Sequence, residues 1–515
     1  MKTVWVKNQF WILLLAALAL LLPGLGQTPL LDWDEANFAE AAREMLLSHD
    51  FSQVQIGFAP FWEKPPLFFW LQALSFKFFG ITEWAARLPN VLAAVLTLGF
   101  LVALGKKIKS QRVGFLWAWL YLVSVLPQFY FRTALIDPLF NLLTMLGLTG
   151  FYFYQKENSR LWFSAGVLAC AAAIMTKGPT SLLMIGLVVL VQALRDRKRF
   201  AHYLVSGAIF GVLSLLPYTF WILGGKTLGD FSQYLIRLLV TPDAGHRGFL
   251  LYHFVVIALG CFPASVFMFW GWREKSTFQN WMKALLWIVL IVFTLVKTKI
   301  VHYSSLAYFP VTYFGALGLD VWLSSGDRTK RSQKVLFGVI GFILLGVLYS
   351  LPYISIHAEE FAPWIQDPFA KAALLEVQPF TKIELVGVGV LAWAFALCFL
   401  LIKHRPNFAK AMMIFSALSC SLLCWDYVPK IALIAQGVAN QCYELAAHEG
   451  AKLDVYGFKS YAYLFYSKAT ADQNSQKAKY LVSKIQDVGA VKVLQPEMQE
   501  VERKGGFVLF KRGSK

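Results

Sequence analysis

Charged residues are scarce in this sequence. Only 15% of its 515 residues are Asp, Glu, Lys or Arg, whereas 57% are hydrophobic, and the mean hydropathy is +0.55. Soluble domains carry about 25% charged residues, so this composition excludes an ordinary soluble protein. Repeated apolar stretches long enough to cross a bilayer place the chain among the polytopic membrane proteins.

Cysteine is rare, and internal repeats and low-complexity tracts are absent from the sequence. The six cysteines lie almost entirely within apolar stretches, which favours packing between helices and argues against a disulfide framework. Cys420 and Cys424 are accordingly interpreted as a packing pair rather than as a metal site. The lack of a repeat argues against the paired halves that are typical of many transporters.

Acidic residues are outnumbered by basic ones, 30 against 48, which gives a net charge of +18. A basic chain raises the question of a nucleic-acid partner, but here the basic residues gather in alternate short connections, as the positive-inside rule requires. This pattern predicts about thirteen spans, a cytoplasmic N-terminus and an outer location for everything after about residue 428. No small-x-small cleavage site follows the first apolar segment, which is therefore interpreted as an uncleaved span. The predicted spans centre near residues 17, 97, 122, 146, 168, 187, 212, 260, 289, 313, 343, 393 and 418.

The composition changes near residue 430. A helical pattern over Ile431–His448 is followed by four β-like runs, at 453–458, 479–482, 491–494 and 506–510, with turn signals between them. The predicted fold class is therefore an all-α polytopic membrane protein with a small C-terminal α/β domain. The predicted domains are a transmembrane domain over 1–428, including a first outer loop at 26–88, and an outer α/β domain over 429–515.

The first outer loop holds an unusual number of ionisable groups for so apolar a chain. Asp32 followed by Glu35 is a capping-box pattern, which predicts a helix starting at Trp33. Pro65-Pro66 then opens an apolar stretch that is too short to span. We expect both helices to lie along the membrane interface. The ionisable residues of the loop include Asp32, Asp34, Glu35, Glu40, Arg43, Glu44, Glu63 and Lys64.

Basic residues in the outward loops need an explanation, because the positive-inside rule depletes them there. Binding an anionic lipid phosphate is one explanation, since Lys and Arg hold a phosphate as its charge develops. A carboxylate in the same loops can remove the proton of an acceptor hydroxyl. Purely structural roles remain open at this point. Asp34 and Glu35 could stabilise the positive end of a helix dipole, and Asp137, just before Pro138, could cap the N-terminus of a helix.

Five segments resemble the bacterial polyprenol-phosphate-sugar glycosyltransferases, the family that contains the lipid A aminoarabinose transferase and is related to protein O-mannosyltransferases. The resemblance is specific over about the first 140 residues and patchier at 241–251 and 297–310. It implies a GT-C fold with about thirteen spans, interfacial helices in the first outer loop and an outer C-terminal domain. The segments are D-E-A-N-F-A-E-A-A-R-E-M (34–45), F-W-E-K-P-P-L-F-F-W (61–70), A-A-R-L-P (85–89), R-T-A-L-I-D-P (132–138) and T-K-G-P (176–179).

The resemblance also implies roles for single residues. Asp34 matches the principal catalytic aspartate, with Glu35 beside it, and Asp137 matches the second acidic position. Two departures stand out: Phe38 replaces a frequent tyrosine, and Val301 replaces the usual proline. The residues expected at the donor phosphate are Lys64, Arg247, Lys299 and Tyr303. Those expected to share a divalent metal ion, zinc or magnesium, are Glu63 and His246; no organic cofactor is expected.

The expected function is transfer of a sugar, with inversion, from a polyprenyl-phosphate donor to a lipid A-like lipid, glycan or protein acceptor. The expected site is the periplasmic face of the bacterial inner membrane, with no nucleic-acid partner. One alternative is a membrane transporter or lipid flippase, although such proteins place ionisable residues near the midplane. Another is an inert member whose outer domain serves in assembly, although Asp34 and Asp137 are both present.

Overall fold

A computed structural model of the chain describes residues 2–32, 34–225, 248–273, 275–324, 331–401, 403–473 and 477–513. Helices dominate this part of the chain, and a small sheet lies near its C-terminal end. The predicted fold class, a polytopic helical membrane protein with a small C-terminal α/β domain, is confirmed. The protein crosses the membrane several times.

Each of the thirteen predicted span centres falls within a helix of the structure. Seven helices of the described part are long and apolar enough to cross a membrane, or nine if each of two bent helix pairs forms one span. The bends are 73° between Gln111–Val123 and Val125–Phe131, and 101° between Tyr252–Gly260 and Ala264–Gly271. The exact number of spans therefore stays a prediction.

Short polar side chains begin several of the helices. The Thr82, Ser110 and Ser159 hydroxyls each accept the backbone N–H three residues further on, which satisfies a donor that has no partner within the helix. The helices are α1 (Lys2–Leu21), α2 (Asp34–Ser48), α3 (Leu67–Phe79), α4 (Glu83–Ile108), α5 (Gln111–Val123), α6 (Val125–Phe131), α7 (Asp137–Glu157), α8 (Arg160–Lys177), α9 (Thr180–Arg195), α10 (Phe200–Gly225), α11 (Tyr252–Gly260), α12 (Ala264–Gly271), α13 (Thr277–Leu295), α14 (Tyr308–Ser324), α15 (Arg331–Ile356), α16 (Ala358–Phe361), α17 (Pro368–Glu376), α18 (Lys382–Leu400) and α19 (Arg405–His448).

Glycine pairs let neighbouring helices approach closely. A Cβ atom on Gly105 of α4 would lie 2.3 Å from the Gly114 Cα of α5, and one on Gly150 of α7 would lie 2.5 Å from the Gly166 Cα of α8. Contacts between small residues are the usual means of close helix packing in membranes. A side chain at Gly105, Gly114 or Gly150 would force the two helices of its pair apart.

The first outer loop contains the two predicted helices, α2 and α3, but α2 begins differently. It starts at Asp34, and Trp33 lies outside the described residues. The Glu35 carboxylate accepts the Leu31 N–H at 2.9 Å, whereas the Asp32 N–H donates to the Gln436 side chain at 2.9 Å. The predicted pairing of Asp32 with Glu35 is therefore wrong, because Glu35 reaches back one residue further and a distant helix supplies the partner of Asp32.

The C-terminal sheet has four strands, which lie side by side in the order β3 (Leu453–Tyr456), β4 (Tyr480–Lys484), β6 (Phe507–Arg512) and β5 (Met498–Lys504). Strands β3 and β4 are parallel, and the other neighbouring pairs are antiparallel. One of the four β-like predictions is wrong, because residues 491–494 form the end of a helix, Val488–Leu494, and one strand, Met498–Lys504, was missed. That strand is a largely exposed edge strand rich in charge, so it lacks the apolar alternation that signals a strand.

The C-terminal region packs against the first outer loop through polar contacts. The Arg43 guanidinium donates to the Ala469 carbonyl at 2.7 Å, and the Leu30 N–H donates to the Tyr466 hydroxyl at 2.7 Å. Helix α19 passes through the predicted boundary at 428/429 and ends at His448. The predicted division of the chain there stays a prediction, while these contacts join the two regions on either side of it.

Glu44 in α2 supports a tight hairpin in the same loop. Strands β1 (Gln55–Ile56) and β2 (Ala59–Pro60) are joined by Gly57 and Phe58, both of which have positive φ angles. Such angles suit a two-residue hairpin turn but are unusual for phenylalanine. The Glu44 carboxyl accepts both turn N–H groups, at 2.6 and 2.8 Å, and is completely buried. Burial, and after it the Glu40 carboxylate, raises the pKa of Glu44 from 4.5 to about 8.

We predict that protonated Glu44 stabilises the fold at acidic pH. The unfolded chain releases this proton near pH 4.5 and the folded chain only near pH 8, so stability should fall as the pH rises between these values. Replacing Glu44 by Gln should reduce that pH dependence, at the cost of about 1 kcal/mol for a lost acceptor. The measurement is the thermal unfolding midpoint in detergent from pH 5 to 9. Glu157→Gln, in an exposed ion pair, is the control, and an unchanged pH slope in Glu44→Gln would contradict the prediction.

Candidate active site

A buried ion pair fixes the start of α2. The Arg87 guanidinium of α4 donates to both carboxylate oxygens of Glu35, at 2.8 and 3.0 Å, and both side chains are nearly inaccessible to solvent. Arg87 also donates to the carbonyls of Leu25, Thr28 and Pro29. One guanidinium therefore joins α4, α2 and the segment that leads out of α1. This fixes the position of Asp34, the residue next to Glu35.

The loop before α7 is held by the same two helices. The Ala134 N–H donates to Glu35 at 2.5 Å, and the Asn90 side chain of α4 donates to the carbonyls of Thr133 and Leu135, both at 2.6 Å. This loop leads directly into Asp137, the first residue of α7. The two predicted acids, Asp34 and Asp137, are thus positioned by one shared set of buried hydrogen bonds.

Asp137 forms a buried ion pair with Lys177. The Lys177 ammonium, at the C-terminal end of α8, donates to the Asp137 carboxylate at 2.6 Å. The Asp137 side chain is 6% exposed and that of Lys177 is 17% exposed. The same ammonium lies 5.6 Å from the centres of the Phe140 and Tyr303 rings. A carboxylate this deeply buried is stabilised by its cation, which keeps Asp137 charged at the base of the site.

His302 lies between the two aspartates. Its Nε2 atom is 3.8 Å from an Asp34 oxygen and 3.9 Å from an Asp137 oxygen. The Asp34 side chain is 43% exposed, whereas that of His302 is 11% exposed and packs edge-on against the Tyr130 ring. The acids predicted from distant segments therefore meet around one imidazole, and Asp34 is the member that faces outward.

Sequence reasoning missed His302 as a site residue. The only signal was its place beside Tyr303, in the segment 297–310 that resembles the family. Tyr303 lies next to the cluster, with its ring 5.3 Å from that of His302. Lys64 is half-buried in the loop before α3, and its charge acts on Asp137 and His302. The structure thus brings Lys64, Lys177, Asp34, Asp137 and His302 together.

Two predicted site residues have other roles in the structure. The Lys299 ammonium donates to the carbonyls of Phe293, Thr294 and Val296 at 2.7 to 2.9 Å, which uses all three of its N–H groups at the C-terminal end of α13. No donor of Lys299 is left for a phosphate in this arrangement. Glu35 was predicted beside Asp34 as a catalytic acid, but both of its oxygens are bound by Arg87 and backbone N–H groups. In the structure, Lys299 and Glu35 therefore have structural roles, which differ from the predicted phosphate-binding and catalytic roles.

The predicted metal site is only half described. Arg247 and His246 lie outside the described residues, while Glu63 is half-buried beside Lys64. Within the part of the chain that the structure covers, no group of three or more His, Cys, Asp or Glu side chains is arranged to hold a metal ion. The described residues therefore supply at most one of the two predicted ligands.

The sequence is similar to known lipid-dependent glycosyltransferases. Residues 63–222 match the family model described as dolichyl-phosphate-mannose-protein mannosyltransferase. One relative, undecaprenyl phosphate-alpha-4-amino-4-deoxy-L-arabinose arabinosyl transferase 1 of Sodalis glossinidius, is 27% identical over 423 residues, which cover 77% of this chain and 72% of the relative. An arabinosyl transferase of the same substrate description from Pectobacterium carotovorum is 28% identical over 356 residues, covering 65% of this chain and 63% of the relative.

The fold is similar to that of a solved transferase. The crystal structure of ArnT from Cupriavidus metallidurans bound to undecaprenyl phosphate matches with a TM-score of 0.75 and 17% identity, covering 99% of this chain and 98% of that one. The predicted resemblance to the polyprenol-phosphate-sugar glycosyltransferases is confirmed. The matched family model and the named relatives confirm the predicted enzyme class, a glycosyltransferase. The transporter alternative has no support among these matches.

We predict that breaking the Glu35–Arg87 pair is far more destabilising than breaking a surface pair. Glu35→Gln leaves the Arg87 charge buried without a counter-charge, which should cost about 3–5 kcal/mol. Glu449→Gln, which removes the partner of Lys479 in an exposed pair, should leave the stability almost unchanged, because water screens such a pair. Unfolding midpoints of both variants in detergent provide the comparison. Equal shifts in the two variants would show that the buried pair does not anchor the fold.

Proposed function

We propose that this protein transfers a sugar from undecaprenyl phosphate to a lipid A-type acceptor at the outer face of the bacterial inner membrane. The observation that carries the proposal is the convergence of Asp34, Asp137 and Lys177, from three distant segments, around a site that Asp34 opens to the exterior. The named substrates of the Sodalis and Pectobacterium relatives support the donor and its sugar, a 4-amino-4-deoxy-arabinose. A glycan or a protein hydroxyl is the alternative acceptor.

Asp34 is the proposed catalytic carboxylate. Its side chain is the most exposed of the acids in the cluster, so an acceptor can reach it from outside. With a hydroxyl acceptor, Asp34 removes the proton as the acceptor oxygen attacks the anomeric carbon. With a phosphate acceptor that carries no proton, the same carboxylate orients the attacking group. In either case one displacement on the face opposite the leaving phosphate inverts the sugar.

The basic residues are proposed to stabilise the leaving group. The donor is a phosphodiester with one negative charge, and the departing undecaprenyl phosphate has about two near neutral pH. Lys64 lies near Asp137 and His302, where its charge can offset the one that develops. Arg247 is proposed from the sequence alone to bind the phosphate. Tyr303, proposed for the same role, lies beside Lys177. Asp137 holds Lys177 in place, since that ammonium donates to its carboxylate.

The arrangement in the membrane remains part of the proposal. The N-terminus is placed in the cytoplasm and the cluster, with the C-terminal region, on the periplasmic side, as the distribution of basic loops predicts. Glu63 is proposed to bind a divalent cation together with His246. Such an ion would supply additional positive charge near the donor phosphate, and no step of the reaction above depends on it.

We predict that Asp34→Asn abolishes transfer without unfolding the protein. The amide cannot take a proton and loses the negative charge, so the rate should fall at least about 100-fold. The assay uses purified protein with undecaprenyl phosphate-linked 4-amino-4-deoxy-arabinose and lipid A, read by mass spectrometry. Asp50→Asn, in an exposed part of the same loop, should stay within about twofold of the wild type. Full activity of Asp34→Asn would refute the proposed role.

We predict opposite effects for two lysines that the sequence placed together at the phosphate. Lys64→Gln should weaken binding of undecaprenyl phosphate by the folded protein about tenfold, equal to about 1.4 kcal/mol. Lys299→Gln should lower the midpoint, because three carbonyls lose their shared donor, while the folded variant binds normally. Binding is followed by tryptophan fluorescence. Tight binding by Lys64→Gln, or weak binding by a fully stable Lys299→Gln, would reverse these assignments.

A further inference from the structure

His302 is held rigidly behind Asp34. It lies in the 3-10 turn Val301–Ala307, which leads directly into α14. Its ring packs edge-on against those of Tyr130 and Tyr303, with centres 6.2 and 5.3 Å away. The side chain is 11% exposed, and its Nε2 atom points to the gap between Asp34 and Asp137. The Nε2 atom therefore lies between Asp34, the proposed catalytic carboxylate, and Asp137.

Charged groups of both signs surround the His302 ring. Asp34 faces His302 from α2, and Asp137 faces it from α7. Lys177 on α8 and Lys64 before α3 act on the ring as positive charges. Lys177, however, donates directly to Asp137, so its charge is largely offset by that carboxylate. In the described part of the chain, the titratable and charged groups facing His302 are Asp34, Asp137, Lys64, Lys177, Tyr130 and Tyr303.

We propose that His302 receives the proton that Asp34 removes from the acceptor, and that the Asp34 and Asp137 carboxylates, with oxygens 3.8 and 3.9 Å from Nε2, stabilise the resulting imidazolium. The proposal rests on the proposed transfer reaction. It also narrows the substrate class to an acceptor that carries a proton on the attacking oxygen, either a hydroxyl or a phosphate monoester in its monoanionic form. His302 acts through Asp34 and is not placed on the sugar itself.

The step balances without any further reactant. The acceptor O–H bond breaks and its oxygen forms the new bond to the anomeric carbon. The bond from that carbon to the phosphate oxygen breaks, and its electron pair leaves with the lipid phosphate. The proton passes from Asp34 to His302 Nε2, and then to the departing phosphate or to solvent. Asp34 is thus ionised again before the next acceptor binds.

The distances are compatible with such a transfer. Gaps of 3.8 and 3.9 Å exceed a hydrogen bond, but either one closes with a small side-chain rotation or a single bridging water. Catalytic hydrogen bonds often reach full length only in the substrate complex. Asp34, as the half-exposed member of the pair, is the side chain with room to move.

The decisive variant is His302→Gln, which keeps an N–H donor near Asp34 but cannot take up a proton. We expect kcat to fall about 100-fold with the donor KM within threefold. In the wild type, transfer should increase with pH as the ring loses its proton, because only neutral imidazole can accept one; His302→Gln should lack that rise. His357→Gln, on a ring that contacts Tyr353 away from the cluster, is the matched control.

The outcomes separate this inference from the proposed function. A His302→Gln variant with near wild-type kcat and pH profile overturns the proton transfer while leaving the proposed function intact. Absence of any sugar transfer by the wild-type protein overturns the proposed function itself. If His302→Gln does not fold, His302→Ala is assayed with added imidazole: saturable recovery supports the inference, and a folded variant that imidazole does not restore overturns it.

Discussion

The Glu35–Arg87 ion pair is the interaction on which the rest of the site depends. Two charges that are almost completely removed from water are costly unless every polar atom finds a partner. Here Glu35 accepts from Arg87 and from the Leu31 and Ala134 N–H groups, and Arg87 uses its other N–H groups on carbonyls. The pair therefore joins the exit of α1, the start of α2, helix α4 and the loop before α7. Asp34 and Asp137 each follow directly from one of these joined segments.

The site that results has a buried side and an open side. Asp137 and Lys177 form the buried side, where a direct ion pair at 2.6 Å joins the two side chains. Asp34 forms the open side, where a half-exposed carboxylate can meet an incoming acceptor. His302 connects the two sides. The starts of α2 and α7 and the C-terminal end of α8 meet at this site. Such a position, where helices begin and end, suits the proposed donor, whose lipid tail would remain in the bilayer.

Hydrogen bonds to the C-terminal region hold the first outer loop in place. Arg43 and Leu30 bind to the helix Ala462–Tyr466 and the residues after it, and Gln436 of α19 binds Leu30 and Asp32. The helical pattern and most of the strands of this region could be read from local sequence. The edge strand Met498–Lys504 could not, because its exposed charged residues carry no apolar alternation and it exists through pairing with β6.

The sequence by itself determined the membrane class and most helix positions, and it predicted the acids at 34 and 137, because apolar length, basic loops and motif residues are local properties of the chain. Only the tertiary structure decided which charged side chains are held by buried partners and which of them meet around one cluster. Glu35 and Lys299 look like site residues in sequence, yet the hydrogen-bonding groups of each side chain are already bound by buried partners. His302 looks ordinary in sequence, yet lies between two carboxylates. The reason is physical. A charged side chain can bind a substrate only if its hydrogen-bonding groups are not already occupied in the folded protein, and segments distant in sequence decide whether they are occupied.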